Sequence, residues 1–94
     1  MQFSQFTDSL QESSPAPDLS VHLKALWYDK KGLWKEAHDL VDSLDDADSA
    51  LVHAYLHRVE GDQWNADYWY RKAGRRRPDV TLEEEWEALV QQFL

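Results

Sequence analysis

His53 and His57 stand four residues apart, a spacing that puts both imidazoles on one face of a helix. Two imidazoles so placed can share one metal ion, and Glu60 follows one turn further on. A third ligand has to come from elsewhere in the chain, and His22, His38 and Asp67 are the candidates. A wider polar set, His53, His57, Arg58, Asn65 and Tyr70, gathers around the same stretch. If these side chains converge on a pocket, it could hold a small ligand or let a histidine do acid–base work. The competing reading is packing, with histidines hydrogen-bonded to Tyr68, Tyr70 or Asn65. No His-Glu-x-x-His helix, phosphate-binding glycine loop or nucleophile elbow surrounds them. The sequence therefore assigns no catalytic residue, no cofactor and no metal site outright.

A second cluster is cationic. Tyr68-Trp69-Tyr70-Arg71-Lys72 mixes aromatic and basic side chains, and Arg75, Arg76 and Arg77 follow at once. Such a set can stack bases and hold phosphates, or hold an acidic peptide. It can also be internal, with cations favoured at a helix C-terminus and facing the acids Glu83 to Glu87. The chain carries a net charge of −8, a field that repels nucleic acid and anionic lipid. Among external partners this favours an acidic protein segment over nucleic acid, and a membrane partner is not expected.

These side chains need a frame. Residues 1–17 read as an N-terminal arm: Phe3, Phe6 and Leu10 have helical spacing, and Ser13, Ser14, Pro15 and Pro17 read as a linker. The arm is expected either as a short amphipathic helix or with little order. Residues 18–94 form the domain. Asp18 is the expected N-cap of a first helix from about Leu19 to Lys31, and Gly32 allows a tight reversal. A second helix covers about Leu33 to Leu44. A third, about Asp48 to Glu60, is apolar on nearly every side and belongs in the middle of the domain. Gly61 turns the chain into a fourth, about Asp62 to Ala73, with Gly74 as its C-terminal cap. Thr81 and Glu84 make a capping box for a fifth helix carrying Leu82, Trp86, Leu89, Val90 and Phe93, which is expected to cap the open end of the stack.

Ninety-four residues make a single domain that buries only roughly 60–65% of its unfolded surface. Five Trp, four Tyr and three Phe are many for that length, and core packing accounts for them better than an aromatic ligand cage. No cysteine is present, which rules out disulfides and thiolate chemistry and fits a reducing compartment. The first residues have neither a basic nor an apolar signal region, and no apolar run nears the roughly 20 residues of a membrane span. A cytoplasmic location is expected.

Gly32 and Gly61 also mark a repeat 29 residues long. An alanine precedes each glycine by seven residues (Ala25, Ala54) and another follows by five (Ala37, Ala66). Repeated hairpins cannot bury their apolar faces alone, so two copies imply a stacked α-solenoid fragment. With Tyr28, Trp34 and Leu44 in the first unit, and Tyr70, Ala73 and Pro78 in the second, the stretch from Leu19 to Pro78 resembles tetratricopeptide repeats. The small residues let paired helices approach closely. Departures are the period, about 34 residues in the family, the position of Trp64, and Lys24, His53 and His57 in slots usually leucine or tyrosine.

The resemblance implies an all-α fold of antiparallel hairpins stacked as a short solenoid, and protein or peptide binding without catalysis. It also implies a concave face lined by the first helix of each pair: His22, Leu26, Asp29 and Lys30, then Leu51, Tyr55, Arg58 and Val59. These are not the Lys/Asn set with which some members clamp a C-terminal carboxylate. The expected contact residues are thus His22, Leu26, Leu51, Tyr55, Arg58 and Val59, with a second surface of Trp69, Arg71, Arg75 and Arg76. Self-association into a homodimer is a further expectation. The alternative is a small-ligand or metal site around His53 and His57 with Asn65 and Tyr70.

Overall fold

In the computed structural model, which describes all 94 residues, local chemistry sets where most helices start and stop. α1 (Phe3–Asp8) runs into a single 3₁₀ turn at Ser9–Gln11. Ser20 accepts the Leu23 N–H at 3.2 Å and opens α2 (Val21–Lys30). The expected cap, Asp18, is two residues too early. Pro17 and Asp18 lie in a turn closed by Leu19 N–H to the Ala16 carbonyl, and that turn delays the helix. α3 (Trp34–Val41) is three residues shorter at its C-terminal end than expected. Asp42 and Ser43, both weak helix formers, precede the Asp45-Asp46 break. Asp46 caps α4 (Ala47–Val59), Asp62 caps α5 (Gln63–Lys72), and Thr81 and Glu84 form the expected box on α6 (Leu82–Phe93).

The two bends share one hydrogen-bond pattern. After α2, Gly32 N–H reaches the Asp29 carbonyl and Leu33 N–H the Tyr28 carbonyl; after α4, Gly61 and Asp62 do the same to Arg58 and His57. This closure needs a left-handed residue, supplied by Gly32 at φ 79° and Gly61 at φ 85°.

The chain is all-α, with six α-helices and no strand. α2 pairs with α3 and α4 with α5, and α3 and α2 both pack on α4. Ala25, Ala37, Ala54 and Ala66, the repeated alanines, are fully buried. α4 is the centre, with every residue from Ser49 to His57 buried.

α6 does not merely close one end of the stack. It lies on α2 and α4, the first helices of both hairpins. The Trp86 indole N–H donates to the Leu26 carbonyl at 2.9 Å, fixing α6 to α2 across 60 residues of sequence. The arm is docked as well. Phe6 is fully buried, its ring 6.0 Å from that of Trp86. Ser9 Oγ accepts from the Trp27 indole, and Lys31 Nζ donates to the Leu10 carbonyl. No helix is long and apolar enough to cross a membrane.

Candidate functional site

α3 and α4 bring three imidazoles together. His53 and His57 stack, centroids 4.8 Å apart, as their spacing requires. His38 arrives from α3, edge-on to both, its centroid 4.7 Å from His53 and 5.3 Å from His57. Its Nε2 lies 3.0 Å from His53 Nε2. One ring nitrogen from each of the three falls within 4.8 Å of the others. Two tryptophans wall the group: Trp34 stacks on His38 at 4.7 Å, and Trp69 stacks on His53 at 3.9 Å. Trp34 is itself tied across the hairpins by its indole N–H to the Leu56 carbonyl at 2.7 Å. These rings are held in place on both sides.

Carboxylates sit at the rim. Glu60 Oε1 is 2.7 Å from His57 Nδ1, so Nδ1–H donates to that carboxylate. Asp42 Oδ1 is 3.8 Å from His38 Nε2. His53 is the deepest member at 2% exposure, and its Nδ1 has no hydrogen-bond partner. Burial, and then the neighbouring His38 and His57, push its pKa down to about 4. At neutral pH His53 is therefore uncharged.

Of the three further candidates, only His38 lies beside His53 and His57. His22 instead places Nε2 2.9 Å from Ser49 Oγ and stacks on Phe93, and Asp67 is paired with Arg77 at 3.0 Å. Asn65 and Tyr70, expected beside His53 and His57, do not hydrogen-bond to them. Asn65 bonds to Asp62, and Tyr70 donates to Glu85 at 2.6 Å.

The concave set is covered. Leu26, Leu51 and Tyr55 are buried at 0%, 4% and 3% exposure beneath the helices around them, and Val59 is half-buried against the core. Leu26 and Tyr55 offer no surface while α6 is in place, and Leu51 shows only in a small cavity beside α6. Tyr55 donates its hydroxyl to Asp29 at 3.1 Å; burial raises the pKa of both groups. Arg58 pairs with the buried Glu85 at 2.7 Å and also donates to the Val80 carbonyl, so it anchors α6 and the loop before it. Sequence reasoning missed Glu85 in the middle of an acidic run, where nothing local separates a buried carboxylate from solvated ones.

Three of the four residues of the expected second surface share one cleft. Arg71, Arg75 and Arg76 are exposed and none makes an ion pair. The acids expected to face them are used elsewhere: Glu83 holds Lys30, Glu85 holds Arg58, and Glu84 caps α6. These arginines line a cleft of about 640 Å³ at the end of α5, together with Arg58, Arg77, Asp67 and Asp79. A second cavity of about 240 Å³ adjoins it, sharing Arg75, Arg76 and Pro78 and floored by Leu51, Val80 and Leu89. Trp69 stays with the histidines rather than joining the cleft, and Lys72 Nζ lies 4.9 Å over its ring.

Comparison of the chain with family models, with curated proteins and with solved structures gave no match.

Proposed function

We propose that the chain is a non-catalytic binding module, similar to a pair of tetratricopeptide units, that holds an acidic segment of a partner protein in the arginine cleft. One observation carries this: three unpaired arginines converge on one cleft of a chain whose net charge is −8. Guanidinium groups match carboxylates bidentately, and desolvated pairs of that kind give both orientation and affinity. A short acidic segment confines its charge to the cleft, whereas a longer nucleic acid also runs its phosphates across the acidic surface outside it. The adjoining cavity is the size of one large apolar side chain, so the preferred segment is acidic with a single Leu or Phe anchor. The tetratricopeptide likeness rests on the glycine bends and buried alanines, and the binding face moves from the covered concave side to the α5–α6 junction.

The test uses a fluorescein-labelled peptide of Asp and Glu with one central Leu, read by anisotropy. Binding is expected to weaken steeply with salt and to be lost in Arg75→Ser/Arg76→Ser. Failure to bind the peptide, or tighter binding of a single-stranded oligonucleotide of equal charge, overturns the proposal. Sedimentation of the chain alone separates this reading from self-association, in which the Asp42 to Asp48 ladder of a second copy would fill the cleft.

A further inference from the structure

The histidine group has no part in the acidic-segment reading. We propose that His38, His53 and His57 together bind one divalent transition-metal ion of the imidazole-preferring kind, zinc being the reference case. Nitrogens bound to one tetrahedral ion at about 2.0–2.1 Å stand roughly 3.3–3.4 Å apart. His38 Nε2 and His53 Nε2 are already 3.0 Å apart, and all three rings offer a nitrogen within 4.8 Å of the others. Small ring rotations convert that spacing into a ligand set.

Three further features fit. Glu60 receives the Nδ1 proton of His57 at 2.7 Å, the carboxylate–histidine arrangement that fixes the tautomer and orientation of a metal-bound ring. His53 is buried and its only hydrogen bond runs from Nε2 to His38, so no partner outside the group ties up its ring. Asp42, 3.8 Å from His38 Nε2, stands at the exposed edge as a fourth oxygen ligand or as the partner of a bound water. The donor set of neutral imidazoles with one carboxylate selects Zn²⁺, Co²⁺, Ni²⁺ or Cu²⁺ and not Mg²⁺ or Ca²⁺, which require oxygen. Asp42, Glu60 and the net charge of −8 favour a dication. A rival grouping of His57, Glu60 and Asp62 is weaker, because Asp62 is engaged by the Asn65 backbone and side chain.

The probe is Co²⁺ added to the intact, chelator-treated chain, followed by its visible ligand-field absorption, with Zn²⁺ competition and calorimetry for stoichiometry. One ion per chain is expected, displaced by Zn²⁺, with a rise in Tm at saturating metal. His38→Asn alters the most accessible ligand and is expected to weaken binding at least tenfold, while His22→Asn leaves it unchanged. Retained far-UV circular dichroism shows that each variant is folded. His53→Gln serves as a second ligand variant, and binding is expected to fall there as well. Absence of one-to-one binding by the folded chain overturns the proposal. So does undiminished binding by folded His38→Asn, or equal loss in His22→Asn.

Discussion

α4 carries two polar assemblies, and they are completed differently. Around Glu85, the carboxylate accepts from Arg58 and from Tyr70, and Arg58 also donates to the Val80 carbonyl. Each partner has a use for its charge or proton. Around His53, three imidazoles meet one another and two tryptophans, and a buried nitrogen is left over. A buried network whose members satisfy each other is explained by the fold it ties together. His53 hydrogen-bonds only to His38, so its ring does not tie elements together as Glu85 does. Burial alone therefore does not distinguish structure from function in this chain; hydrogen-bond completeness does.

The largest effect should come from the completed network. Glu85→Ala leaves the Arg58 guanidinium and the Tyr70 hydroxyl without their acceptor under α6, at an expected cost of about 3–5 kcal/mol. Urea denaturation reads this directly. Replacing the Tyr70 hydroxyl as well as both charges, as Arg58→Met/Glu85→Leu/Tyr70→Phe, should recover most of the loss, because paired burial stabilises little beyond a hydrophobic set. A cost for Glu85→Ala below about 1 kcal/mol would mean that α6 is not held this way and would remove one side of the comparison.

The histidines should show instead as pH dependence of the metal-free chain. His53 faces His38 and Asp42 from α3, His57 on its own helix and Lys72 from α5, and its pKa is depressed to about 4. The unfolded chain takes up that proton near pH 6.5, and the folded chain only near 4. Between those values the unfolded state binds more protons, so stability is full above about pH 7 and is lost as pH falls toward 4. A Tm lower by several degrees at pH 5 than at pH 7.5 is expected. His53→Leu should flatten that slope whatever its own Tm. An unchanged slope would assign the acid sensitivity to the carboxylates.

What could be read ahead of the structure was what is local. Gly32 and Gly61 announce their bends because the left-handed closure is decided by one residue, and Thr81 with Glu84 announces a helix start within four residues. His53 and His57 could be paired from spacing alone. His38 could be proposed only as one of three candidates, because its approach depends on how α3 packs on α4. The position of α6 was not legible. It rests on Trp86 reaching Leu26 and Glu85 reaching Arg58, contacts 60 and 27 residues apart that no periodicity encodes. That one placement buried the expected concave face and turned Arg58 from a contact residue into an anchor. Cations and acids could be counted, but which arginines would stay unpaired depended on Lys30 and Arg58 taking the nearby glutamates.

Glu60→Gln sharpens the contrast from the ligand side. The Glu60 side chain is exposed and orients His57 without being part of the core. The amide oxygen can still accept the Nδ1 proton but carries no charge to strengthen the ring as a ligand. Folding stability should change by less than about 1 kcal/mol, while Zn²⁺ affinity falls about 10-fold or more. A large loss of stability with unaltered affinity would make the Glu60–His57 pair structural, and the two assemblies alike.

The arginine cleft should give the smallest effect on folding. Arg75 and Arg76 are exposed and make no ion pair, so Arg75→Ser/Arg76→Ser should shift folding stability by about 0.5 kcal/mol or less. What little change occurs should be a loss, since removing two cations from an acidic chain increases its self-repulsion. The same variant should abolish salt-sensitive binding of the acidic peptide, and metal binding at His38, His53 and His57 should be untouched. Denaturation, anisotropy and calorimetry on one protein sample thus separate a surface that serves a partner from a network that serves the fold. If stability instead drops by more than about 1 kcal/mol, the cleft arginines brace the loop between α5 and α6, and their exposure no longer argues for a ligand.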